Sequence, residues 1–333
     1  MRITTNAILR NYKSNLGASL TNLDTARTKV MTGRQFTRAA ENPASALRAA
    51  VLERKYVRNQ DYLQSVDDVQ SFQDAQEDGA MQINDISLKL SKQYGLEALS
   101  GTNQSKEVRD IYAEAWRGAQ QNMVLALNTT YEDKYAFGGA EGAEPPFSLE
   151  KDANGNDVLK YRGIDVTTTD PDELEVLAKM SKETSYVDLG FGLSIDDTGA
   201  VDPSSAFDTS LPGINLVGLG EDNMILLAGK IAKTLKEEDF DIGEYEKLLN
   251  KFDAGREKVM THVTNLGTKT EFLTITKERL ETNDLNLSKQ IDNVVNVDMA
   301  GAITDFSWAQ YAYNAALKVG NNILSPSFID FMN

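Results

Sequence analysis

The sequence predicts a mainly α-helical protein with a β-rich insert: a long helical bundle or coiled coil built from both termini, plus a small central β-rich domain. Three observations carry this. Apolar residues recur at helical spacing over long stretches near both ends. Asn, Ser, Pro and Gly stand where such helices should start and stop. Between residues 137 and 220 the helical period vanishes and turn residues crowd together.

Residues 1–40 form the first segment, an N-terminal assembly helix. Leu9, Tyr12, Leu16, Ser19, Leu23, Ala26 and Val30 alternate spacings of three and four, the a/d pattern of a helix that packs along another. Gly33 ends it as a C-terminal cap. Asn42-Pro43 starts the next segment, a helical stretch over 41–136, because Asn caps well and Pro at the first helical position lacks only a hydrogen that would go unused. That helix is expected to reach about Leu99. Gly101-Thr102-Asn103 then breaks it, and Ser105 caps a third helix ending near Tyr131.

Residues 137–220 are the β-rich insert. Gly138-Gly139, Pro145-Pro146, Gly190, Gly192 and Pro212-Gly213 are turn signals, and Asn154-Gly155 between two short runs predicts a tight hairpin. Val158 to Tyr161 alternates as a strand does, and Asp170-Pro171 opens a short helix to about Met180. Asp152 to Asp157 brushes against a calcium loop. It lacks the glycine at position six and has Gly163 where a bidentate Glu is required, so it is a solvated turn. Gly190-Phe191-Gly192 and Gly218-Leu219-Gly220 lack the third glycine of a dinucleotide motif and are turns as well.

Helices return over 221–290, with amphipathic stretches at 222–236 and 242–252 and a long helix from Asp253. Val259, Leu266, Leu273, Leu280, Leu287 and Val294 fall every seven residues, a repeat that winds a helix around a neighbour. Thr270, Lys277 and Asp284 at the companion positions make the seam one-sided. Residues 291–333 form a C-terminal assembly helix, with Met299, Phe306, Trp308 and Tyr311 as an aromatic group expected to pack. Leu266, Leu273 and Leu280 read as intramolecular core. Leu9, Tyr12, Leu16, Leu23, Val30, Leu287, Ile291, Val294, Met299, Ile303 and Phe306 read as contacts between copies of the chain, because helices at chain ends have least of their own molecule to pack against.

Composition narrows the function. The chain has 333 residues, no cysteine and one histidine, His262. That excludes thiolate chemistry and cysteine-ligated metal, together with every site needing two histidines. No paired-carboxylate spacing in 138–220 singles out an acid–base site, so the expectation is a protein that is not an enzyme, with no catalytic residue, cofactor or metal. Net charge is −16, yet residues 1–60 carry 11 basic against 3 acidic side chains. An acidic remainder repels nucleic acid. No run of 18 apolar residues occurs, so no membrane insertion is expected, and no cleavable signal is visible.

Several motifs, in order, resemble the flagellin superfamily. They are Thr32-Gly33-Arg34, then Glu41-Asn42-Pro43-Ala44 leading to Ala46, Leu47 and Arg48, then Gly101-Thr102-Asn103, and near the end Val297-Asp298-Met299-Ala300. Tyr135-Ala136-Phe137-Gly138-Gly139, Pro146-Phe147, Tyr186 to Gly190, Pro212-Gly213-Ile214 and the tail Ser325 to Met332 are similar to the superfamily's hook–filament junction branch; flagellin itself is the alternative. The resemblance implies a structural subunit of the bacterial flagellum that polymerises through its terminal helices. Its partners would be other copies of itself in a ring, a neighbouring hook-associated protein, and flagellin. It further implies export in unfolded form by the flagellar type III apparatus, a transient cytoplasmic stage and an extracellular destination. An export chaperone would bind the C-terminal region, within Val294, Met299, Ile303, Phe306, Tyr311, Leu317 and Phe328.

Overall fold

The structure is a computed structural model, and it describes residues 2–100, 105–153 and 155–324. Gly101-Thr102-Asn103, Asn154, the tail motif and Phe328 lie outside the described residues. Long helices dominate: α1 (Arg2–Thr32), α2 (Pro43–Lys89), α4 (Lys106–Leu127), α7 (Met224–Lys236), α8 (Ile242–Val295) and α9 (Met299–Leu324). Shorter helices are α3 (Leu96–Ala98), α5 (Pro171–Met180) and α6 (Gly213–Val217). The strands are β1 (Thr130–Tyr131), β2 (Lys134–Tyr135), β3 (Phe147–Lys151), β4 (Asp157–Tyr161), β5 (Ile164–Asp165), β6 (Tyr186–Val187) and β7 (Phe207–Asp208).

The chain divides into two compact units, one of residues 1–60 and 282–333, the other of 61–281. In the terminal unit α1 packs along α9. Gly33 takes φ +68°, a conformation that penalises any side chain, and its N–H closes the helix onto the Lys29 carbonyl at 2.9 Å. Asn42 caps α2 by accepting from the Ser45 N–H at 3.1 Å.

The larger unit holds the main core. α4 packs on α7, and both touch the β3–β4–β5 sheet. Trp116 of α4 meets Phe252 of α8 edge-on at 4.9 Å between ring centres, and both rings are fully buried. The sheet is antiparallel, with Phe147 opposite Tyr161 and Leu149 opposite Leu159. At its hairpin Asp152 Oδ1 accepts the Asn156 N–H at 2.8 Å, and Gly155 takes φ +78°. A second cluster joins Val66 and Val69 of α2 to Leu273 and Leu280 of α8. The intramolecular assignment of Leu266, Leu273 and Leu280 is thus correct, because α2 and neighbouring elements cover that side of α8.

The stretch 242–252 and the long helix that continues from Asp253 are one element: α8 runs unbroken from Ile242, because Tyr245, Leu249 and Phe252 lead in phase into Val259 and Leu266. Three local expectations need correction. The third helix stops at Leu127, short of Tyr131, which lies in β1, and Glu132 at φ +52° then turns the chain from β1 into β2. α7 is buried on nearly every face rather than one, since α4 covers one side and β4 another. And α2 passes into a π-helix, Leu90–Gly95, before α3. There Gly95 lies so close to α8 that a Cβ would come within 2.8 Å of Leu249 Cδ1, and the Tyr245 hydroxyl donates to the Gly95 carbonyl at 3.1 Å.

Candidate assembly surface

The surface is built from the terminal unit. Two sequence motifs meet there. The loop after α1 and the turn between α8 and α9 are joined main chain to main chain: the Gln35 N–H donates to the Val295 carbonyl at 2.7 Å, and the Val297 N–H to the Gly33 carbonyl at 2.9 Å. Arg34 and Asn296 therefore pair as an antiparallel bridge. Asp298 caps α9, its carboxylate accepting from the Ala300 and Gly301 N–H groups at 3.1 and 3.3 Å. In the loop after α1, Glu41 accepts the Thr37 N–H and hydroxyl at 2.8 and 3.1 Å, and these bonds hold its carboxyl below the usual range. Both motif turns are thus fastened into one piece.

Along the helices the apolar stripes are incompletely covered. Leu9, Tyr12, Leu16, Leu23 and Val30 of α1 are half-buried, as are Leu287, Ile291 and Val294 of α8 and Phe306 of α9. Tyr12 places its hydroxyl directly against Gly320, where no side chain would fit. Met299, Ile303, Tyr311 and Leu317 are exposed, and Trp308 and Tyr311 leave 70% and 72% of their surface uncovered. Of the aromatic group on α9, Phe306 is half-buried, whereas Trp308 and Tyr311 stay uncovered within one copy. Ile8, Leu20, Met31, Leu47 and Leu285 add to the uncovered apolar surface of this unit. Among its described residues only Ala49, Leu52 and Ala302 are buried apolar side chains, whereas the larger unit buries Trp116, Tyr161, Tyr245, Phe137 and Phe252 completely.

Trp308 belongs to the aromatic group read from the sequence but not to the contacts expected between copies. Its signal was present: a tryptophan on a helix whose apolar residues lie on more than one side. A groove of about 630 Å³ runs beside the join, lined by Ala26, Lys29, Asp298, Gly301, Ala302 and Asp305. No group of three or more metal-ligating side chains occurs among the described residues, nor any helix long and apolar enough to cross a membrane.

No protein-family profile matches the sequence, and no curated protein does. Solved structures do resemble the fold. One is a Vibrio parahaemolyticus protein provisionally described as a flagellar hook-associated protein, at TM-score 0.60 and 13% identity, over 77% of this chain and 100% of that one. Another is FlgL of Bacillus cereus, at TM-score 0.51 and 14% identity, over 73% of this chain and 99% of that one. What these structures share with this chain is the fold.

Proposed function

We propose that this chain is a structural subunit of the bacterial flagellum that joins hook to filament, assembling into a ring through its terminal helices. The observation that carries the reading is the imbalance within the molecule. One unit has a full core, and the other displays apolar helix faces with almost nothing of its own to bury them. A helix stripe left uncovered in one copy is stabilised when a second copy covers it. The likeness in fold to two flagellar hook-associated proteins supplies the setting.

On this reading Leu9, Leu16 and Leu23 use their uncovered sides, and Ile303, Trp308 and Tyr311 their whole faces, against neighbouring copies, a hook-associated protein on one side and flagellin on the other. The chain leaves the cell unfolded through the type III apparatus, and a chaperone covers the apolar side chains from Val294 to Leu317 beforehand. The same exposed face of α9 serves both partners in turn.

Deleting residues 2–30, or 299–333, tests this. Each truncated chain should keep the cooperative unfolding of the larger unit, whose core lies within 61–281, yet fail to form rings or to bind purified hook ends. Normal assembly by either truncation would refute the proposal. Long filaments grown by the intact chain on seeding would favour a filament subunit instead.

A further inference from the structure

The larger unit holds a cleft of about 290 Å³, just under the ~300–1,000 Å³ typical of pockets that enclose drug-sized molecules, so its size suits a single ring. Two kinds of side chain line it. Phe72 of α2 and Tyr131 of β1 meet edge-on, with ring centres 6.3 Å apart, and both are half-buried. Ser185, Thr209 and Ser210 come together around Asp208. The Asp208 Oδ1 accepts the Ser185 and Ser210 N–H groups at 3.1 and 2.9 Å, and the Thr209 N–H donates to the Ser185 carbonyl at 2.8 Å.

The hydroxyl group of this lining is unfinished. Ser210 is 9% exposed, and its Oγ has no hydrogen-bond partner within the chain. A buried hydroxyl without a partner is costly, which marks this cleft as a place where another molecule supplies the bond. Charge narrows what that molecule is. Asp68, Glu132 and Lys134, all exposed, are the charged residues of the lining, two carboxylates against one ammonium. An anion would meet more repulsion than attraction there, and a wholly apolar ligand would leave the Ser210 hydroxyl as it is.

We propose that this cleft binds a neutral sugar ring, either a free hexose or the end unit of a glycan. A pyranose has an apolar face of C–H groups, which stacks on aromatic rings, and a rim of hydroxyls, each both donor and acceptor. Phe72 and Tyr131 take the face. Ser210, Thr209 and the Asp68 carboxylate take the rim. The inference stands apart from the assembly reading and adds a binding activity to it.

Saturation-transfer NMR on the full-length chain tests it, with D-glucose, D-galactose, D-mannose and N-acetyl-D-glucosamine each at about 10 mM, enough to reveal millimolar affinity. At least one sugar should show transfer. Ser210→Ala and Tyr131→Ala should each weaken its binding roughly threefold or more. Asp68→Asn, at an exposed position, should do the same and keeps the test open if Tyr131→Ala fails to fold. The methyl pyranoside of the sugar that binds separates the two sources: retained binding marks a glycan end, and lost binding a free hexose. No transfer from any of the four sugars, or transfer undiminished in every folded variant, would overturn the proposal and leave the assembly reading untouched.

Discussion

Trp308→Ala is the substitution that most sharply separates an assembly surface from an ordinary helix face. Trp308 is 70% exposed, which for a side chain of roughly 250 Å² leaves about 175 Å² uncovered. At ~25 cal/mol per Å², burying all of it against a neighbour would contribute about 4 kcal/mol, and burying half about 2. The substitution should therefore raise the concentration needed for assembly by a factor of roughly 30 or more. The isolated subunit should hardly notice, because a change on an exposed face costs within about 0.5 kcal/mol and alanine favours the helix. Sedimentation across a dilution series reads the first quantity, and a circular-dichroism melt reads the second. Unchanged assembly would refute the reasoning, and so would a melting temperature lowered by more than about 4 °C, which would show that Trp308 already packs within one copy.

Gly33→Ala should loosen the join between the motif turns: the site has room for a methyl group, but φ +68° costs a side chain about 1–2 kcal/mol, so the Gln35 and Val297 amides should exchange hydrogen roughly 5–30 times faster, as followed by NMR. Phe252→Ala removes a fully buried ring from against Trp116 and should lower the urea-unfolding free energy by about 3–5 kcal/mol; a loss below about 1 kcal/mol would mean that the core closes over the gap. His262 should make stability fall on mild acidification. Burial lowers its pKa below the ordinary 6.5, only partly offset by a backbone hydrogen bond with Asn215, so the unfolded chain takes up the proton first and stability drops as pH falls through 6.5 toward the lower folded value. His262→Gln should flatten that part of the profile in urea melts at closely spaced pH values, and an unchanged slope would show that other groups govern it.

Much of the fold is written locally. Gly33, Asn42-Pro43 and Asp170-Pro171 mark helix ends because each acts on backbone within a few residues, and the structure puts ends at Thr32, Pro43 and Pro171. The heptad repeat of α8 is equally plain, because a seam needs only its own spacing. What could not be read depends on partners far along the chain. Nothing around Gly33 announces that its carbonyl meets the Val297 amide. The π-helix at Leu90–Gly95 ends at a glycine whose surroundings come from α8: a Cβ there would meet Leu249, and the Tyr245 hydroxyl donates to its carbonyl. α7 looked one-sided because its polar residues, Lys230, Lys233 and Lys236, reach ion pairs or hydrogen bonds at the edges of an otherwise buried helix. Trp308 and Tyr311 fit a packing pattern, and only the arrangement of α1 along α9 shows that their side stays open.

The join between the motif turns uses no side chain at all. Every residue type except proline brings the same amide and the same carbonyl oxygen, so the two bonds between 33–35 and 295–297 survive almost any substitution that keeps glycine at the bend. Selection acting on such a link can hold the architecture constant while letting its lettering drift. Descendants of one ancestor would then stay superimposable long after their texts had ceased to look alike.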